Sequence, residues 1–116
     1  MNISFNQFKE LDLRIAKILE ASRVEGSEKL VKLLIDMGGE KRELVAGIGK
    51  AYDPDVLVGR EIAVVANLES KIFTLRLSSG QVALESQGML LAAHGAQGEP
   101  VLLVPEREVP PGSTIT

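Results

Sequence analysis

A chain of 116 residues with 45% hydrophobic and 25% charged side chains has the balance of one folded domain, long enough to bury a core and too apolar to stay disordered. It contains no cysteine, which excludes disulfides, thiolate zinc sites and a cysteine nucleophile. Its formal charge of −3 and pI of about 5.2 exclude a uniformly basic surface, so any nucleic-acid site has to be a local patch.

The N-terminus, "MNISFNQFKELD", lacks the basic start and apolar core of a signal peptide. No apolar run approaches the roughly 20 residues of a membrane helix. A soluble, cytoplasmic protein is the expectation. The first predicted element is a short amphipathic helix capped by Ser4, with Phe5, Phe8 and Leu11 at helical spacing. So short a helix has to pack its apolar face on something. "DLRIAKILEASRV" follows as a long strand. Leu13 and Ile15 share one phase and Ile18 falls in the other, which predicts a β-bulge.

Val31 to Met37 and Arg42 to Ile48 flank Gly38-Gly39 and read as a hairpin. "YDPDVLVGR" predicts one helical turn, capped by Asp53, opened by Pro54 and ended by Gly59. "EIAVVANL" is a short apolar strand. "KIFTLRLSSGQVALE" alternates on both sides of Ser78-Ser79-Gly80, a second hairpin. In "LESQGMLLAA" a polar Ser86-Gln87 pair and Gly88 precede the run Met89 to Ala93, which reads as a buried strand. A glycine-rich loop leads to a last strand, "PVLLVPE", and the prolines of "REVPPGSTIT" make an extended tail. Many short strands, glycine turns and little helix predict an all-β fold: a five-stranded Greek-key barrel of the OB type, with a short N-terminal helix and an extended C-terminal tail, as one domain over residues 1–116.

The catalytic inventory is thin. His94 is the only histidine and reads as a loop residue, and one histidine without cysteine makes no metal site. "GIGKAY" lacks the spacing of a phosphate loop, and Asp53 and Asp55 read as a cap and a solvated charge. No nucleophile, base and orienting group assemble, so an enzyme and a cofactor are not expected. Generic single-strand binding is disfavoured too. It calls for stacking aromatics, and only Tyr52 and Phe73 are free for that role once Phe5 and Phe8 are given to packing. Basic residues do gather, at Lys29 and Lys32, Lys41 and Arg42, Lys50, and Lys71 and Arg76. Scattered solvated charge is the plain reading of that pattern.

Read together, "DLRIAKILEASRVEGSEKL", "VAGI", "ANL", "SQGM" and "VPPGSTIT" resemble the dimeric tRNA-binding domain of the methionyl-tRNA synthetase C-terminus, which also occurs as stand-alone structure-specific tRNA-binding proteins. The resemblance implies a non-catalytic OB fold that grips the outer corner of folded tRNA by shape and backbone, with little sequence preference. It implies a homodimer, and a methionyl-tRNA synthetase catalytic chain as a further partner. It places Ser86 and Met89 at the tRNA-binding face. Ser86 and Gln87 would then present uncharged donors to backbone oxygens, and Gly88 would let the backbone come close. With Asn67 of "ANL" and the basic residues Lys29, Lys32, Arg42, Lys50 and Lys71, they make up the candidate tRNA-binding set.

One segment departs from the pattern. "ESKIFTLRLSSGQVALE" stands where the family has a shorter, basic stretch of Pro-Arg-Lys type, with Glu69 and Ser70 in place of proline and arginine and only Lys71 kept. Two alternatives stay open. One is the peptide-binding role of the CsaA-like export chaperones, which share the fold and would use Ile72, Phe73, Leu75 and Leu77 as an apolar surface. The other is a module that only dimerises a larger synthetase.

Overall fold

Period-two apolar runs bounded by glycine turns favour strand over helix along most of the chain. The computed structural model describes residues 1–116 and is accordingly almost all β. In chain order the elements are a one-turn helix α1 (Phe5–Phe8), strands β1 (Leu13–Arg23), β2 (Val31–Asp36) and β3 (Lys41–Ala46), a 3-10 turn (Pro54–Val56), and strands β4 (Glu61–Val65), β5 (Lys71–Leu77), β6 (Gly80–Ser86), β7 (Met89–Leu90), β8 (Ala92–His94) and β9 (Pro100–Leu102).

Five strands form one antiparallel sheet in the order β3-β2-β1-β4-β7. β1 is its spine, pairing with β2 over residues 17–23 and with β4 over residues 13–17. The expected bulge lies between Ile18 and Glu20, where the register slips. It bends β1 so that the sheet can curl. The 3-10 turn sits against this bend: Gly59 N–H donates to Ile18 O at 2.8 Å, and Ile18 N–H to Arg60 O at 2.9 Å. The turn is capped by the Asp53 carboxylate, as expected, and it buries Leu57 completely.

Curling makes a nearly closed five-stranded barrel of the OB type around Ile18, Leu33, Ile35, Leu44, Ile62 and Val64. β5 and β6 project from it as a separate two-stranded hairpin, and β8 and β9 form another small pair. The C-terminal tail is extended and lies along the start of β1: Ile15 N–H donates to Ser113 O and Ile115 N–H to Leu13 O, both at 2.8 Å.

Four expectations are corrected. The run Met89 to Ala93 is not one buried strand. It breaks at Leu91, whose N–H donates to Ala63 O, and Met89 and Ala93 are exposed. His94 closes β8 rather than sitting in a loop, and the last strand is only Pro100–Leu102. Helix α1 has a complete capping box, Ser4 with Gln7, yet buries none of its residues, and Phe5 is 71% exposed. The helix that had to pack on something leaves Phe5 uncovered by any apolar group of its own chain, with only the Lys9 ammonium over its ring, 5.0 Å from the centre.

Candidate nucleic-acid interface

The site begins with two loops that lock together. In "EGSEKL", Ser27 N–H donates to Val24 O and the Ser27 hydroxyl accepts from Leu30 N–H at 3.0 Å, which rolls the β1–β2 connection into a compact turn. Arg23 ties this turn to the segment after β3, donating to Glu28 O at 3.2 Å and Gly49 O at 2.9 Å, while Gly49 N–H donates to Lys29 O at 2.7 Å. Gly49 is required by the approach: a Cβ there would stand 2.5 Å from Glu28 O. At Gly47 a Cβ would stand 2.8 Å from Lys29 Cε, so the lysine stem lies over a bare stretch of backbone. Lys29 thus lies across Gly47 and is itself exposed.

The second component closes the barrel. Val45 N–H donates to the Ser86 hydroxyl at 3.0 Å, and that hydroxyl donates to Gly88 O at 2.9 Å. Next to it Glu43 N–H donates to Gln87 Oε1 at 3.1 Å, and Gln87 N–H to Glu43 O at 2.9 Å. Side chains thus satisfy backbone groups along the edge of β3 that a longer β7 would otherwise meet. Gly88 adopts a φ of +127°, and a Cβ would lie 2.9 Å from Val65 O. The expectation of solvent-facing donors is therefore corrected for Ser86, which is 3% exposed and fully engaged. The close approach at Gly88 is to the chain's own β4.

The third component is the β5–β6 hairpin. Phe73, Leu75 and Leu84 share one face and pack on Val24, Leu30 and Val45, and Leu77 touches Gly26 of "EGSEKL". Period-two alternation thus turns the apolar face down onto the locked loops. Of the four apolar residues expected to offer a peptide surface, only Ile72 points away from this contact, and Phe73, Leu75 and Leu77 are half-buried. Lys71 stands at the hairpin base with its Nζ 4.7 Å from the Phe73 ring centre, a cation–π contact.

Between these components runs a groove of about 510 Å³. Its floor is Val45, Ala46, Ile48 and Leu90, its rim holds Lys29, Lys71 and Glu69, and Met89 and Leu68, each 47% exposed, stand inside it. An adjoining depression shares Lys29 and adds Lys50 and His94. A separate hollow near Lys17, Arg60 and Arg107 is lined equally by Glu61, Glu106 and Glu108, so its charges offset one another.

Of the sequence-derived candidates, the structure brings Lys29, Lys71, Ser86 and Met89 to one groove, with Ser86 as buried wall and Lys50 next door. The others lie elsewhere or are engaged. Arg42 donates to Ala66 O and pairs with Glu40 at 3.2 Å, and Lys32 stands 3.6 Å from Glu43. Asn67 bridges the chain after α1, accepting from Asp12 N–H at 2.9 Å and donating to Glu10 O at 2.6 Å. Tyr52 is no stacking platform, because its hydroxyl accepts from Leu102 N–H and its ring packs on the core. Arg14 is held still more firmly protonated by its hydrogen bond to Asp12 and by that carboxylate's charge, and it lies outside the groove. Sequence reading missed Leu68 and Glu69 as groove residues. Their only signal was adjacency to Lys71 in the segment that departs from the family pattern.

Comparisons with known proteins bear on the family and the fold. The family model described as "Putative tRNA binding domain" matches residues 13–114. A methionine–tRNA ligase of Methanothrix thermoacetophila is 54% identical over 114 residues, covering 97% of this chain and 15% of the ligase. The chain therefore spans about a seventh of the length of that relative. Among solved structures, a MetRS-related protein from Pyrococcus horikoshii superposes with a TM-score of 0.83 at 29% identity, over 100% of this chain and 99% of that one. The chaperone CsaA of Bacillus anthracis does so with 0.84 at 30% identity, over the whole of both chains. On the family match and the ligase identity, the chain belongs to the tRNA-binding domain family represented in the C-terminal regions of methionine–tRNA ligases.

Proposed function

We propose that residues 1–116 act as one non-catalytic unit that binds folded tRNA by shape and backbone, through the groove bearing Lys29, Lys71 and Met89, with Lys50 extending its basic rim. The observation that carries this reading is convergence. Lys29, Lys71 and Met89 come from three separate segments of the chain and meet at one apolar-floored groove. Ammonium groups on a rim suit phosphates, and they do so without reading bases. Ser86, Gln87, Arg42 and Asn67 support the site by holding the barrel closed and its ends tied, rather than by touching RNA. Lys32 contributes little while Glu43 stands beside it.

The active form is proposed to be a homodimer, placed in the cytoplasm, with a methionyl-tRNA synthetase catalytic chain as a further partner. Support for pairing comes from the uncovered apolar side chains Phe5, Val101, Leu103 and Val104, and from a shallow apolar trough along Ile15, Leu103 and Ile115. Deleting residues 1–10 is expected to give monomers or insoluble protein; a clean dimer by light scattering would count against this.

Likeness to the chaperone CsaA makes polypeptide binding the competing reading. It is disfavoured because the hairpin spends its apolar face on the protein's own loops. Retention of bulk tRNA by the purified chain, beside duplex DNA and an unfolded polypeptide, tests the choice. The expected result is saturable, salt-sensitive retention of tRNA with weaker capture of both others. Retention of the polypeptide alone would sink the tRNA reading.

A further inference from the structure

The lysines at the groove stand on its rim, so its floor calls for a different ligand chemistry. Val45, Ala46, Ile48 and Leu90 offer no polar side chain. The one polar side chain set into the wall, Ser86, has its hydroxyl engaged by Val45 N–H and Gly88 O. A phosphate lowered onto this floor would lose its water and meet no side-chain donor, which is costly for a charged group. A flat, largely apolar group would lose little. Met89 and Leu68, both about half exposed, flank the space, and a thioether is a soft, polarizable surface for a π-face. The volume of about 510 Å³ suits a ligand of nucleoside size rather than a helix or a duplex.

We infer that the groove takes a single unstacked RNA base, laid on the Met89 side over the apolar floor, with the phosphates flanking that nucleotide set on Lys29 and Lys71. The inference rests on the tRNA-binding reading and adds to it the element of RNA structure that the groove selects: an unpaired, extruded nucleotide rather than paired backbone. Single-stranded and bulged nucleotides are the parts of folded RNA whose faces are free to be held this way. Because the floor presents no polar side chain, the groove senses that a base is present and is indifferent to which base it is. Glu69 on the rim opposes the flanking phosphate nearest it and keeps the site weak.

The test uses the full chain and hairpin RNAs of identical stem: one carrying a single unpaired adenine, one an abasic nucleotide at that place, and one fully paired. A fluorescent adenine analogue marks either the unpaired position or a stem position. The unpaired-base RNA should bind on the order of tenfold more tightly than the abasic and paired ones. Emission should change at saturation for the unpaired analogue and not for the stem analogue. Uracil at the same place should keep most of the gain. Met89→Ala and Leu68→Ser should erase the preference for the unpaired base over the abasic and paired RNAs. Both sites are half exposed, and an unchanged melting curve confirms that fold is not being measured. Equal affinity for unpaired, abasic and paired RNA while bulk tRNA still binds would overturn this inference alone. Loss of all RNA binding would overturn the tRNA reading as well. Saturable capture of an extended apolar peptide with no RNA bound would overturn both and give the groove to a polypeptide.

Discussion

The β2–β3 and β5–β6 hairpins begin from the same sequence pattern and end in different physical situations. Each alternates apolar and polar residues and turns on glycine, at Gly38-Gly39 in one and Gly80 in the other. In β2 the apolar phase, Val31, Leu33 and Ile35, is completely buried, because β1 and β3 pair on both edges and the barrel closes over its face. In β5 the corresponding phase, Phe73, Leu75 and Leu77, is only half-buried. β5 has a single partner strand, and its face meets a cluster of three residues instead of a core. Alternation decides which side chains share a face; the number of neighbours beyond that face decides how much stability it supplies.

The difference is sharpest in stability. Leu33→Ala should cost about 2–5 kcal/mol, as a fully buried leucine with no room to relax. Leu75→Ala in the projecting hairpin should cost about 1 kcal/mol, since less apolar area leaves water there. Urea unfolding measures both, and equal losses would mean that the hairpin is as much a part of the core as the barrel is.

Ser86 ends β6 and begins the closure against β3, so it joins the two regions. Ser86→Ala leaves the Val45 N–H buried without an acceptor, and about 1–3 kcal/mol should be lost. The melting temperature should fall, and tRNA affinity of the remaining folded protein should change less than stability does. An unmoved melting curve with weakened tRNA binding would restore the direct-contact role expected from sequence.

Much of the barrel was legible in the residues. Gly38-Gly39 between alternating runs announced the β2–β3 hairpin, the phase slip at Ile18 announced the bulge, and Asp53-Pro54 announced the 3-10 turn. The candidate site was legible only in part. Two uncharged hydrogen-bonding side chains before a glycine look the same in sequence whether they face solvent or close a barrel, and Ser86 and Gln87 do the second. Arg42 and Asn67 were indistinguishable from free binding groups because their acceptors, Ala66 O and Glu10 O, belong to other segments that only the fold brings near. The Met89 to Ala93 run hid its break because the cause, pairing of Leu91 with Ala63, is likewise non-local.

The measurement that bears most directly on the groove as the tRNA site is the salt dependence of tRNA affinity for the wild type, Lys29→Ala, Lys71→Ala and Arg107→Ala. Each phosphate neutralised adds roughly 0.7 to 0.9 to the magnitude of the log–log slope. Lys29→Ala and Lys71→Ala should each flatten the slope by about that amount and weaken binding at low salt, whereas Arg107→Ala, beside Glu106 and Glu108, should change neither. Glu69→Lys should steepen the slope by a similar step, because it adds a cation at the same rim. Equal slopes for the wild type, the two lysine variants and the Arg107 variant would contradict the assignment of the groove as the tRNA site.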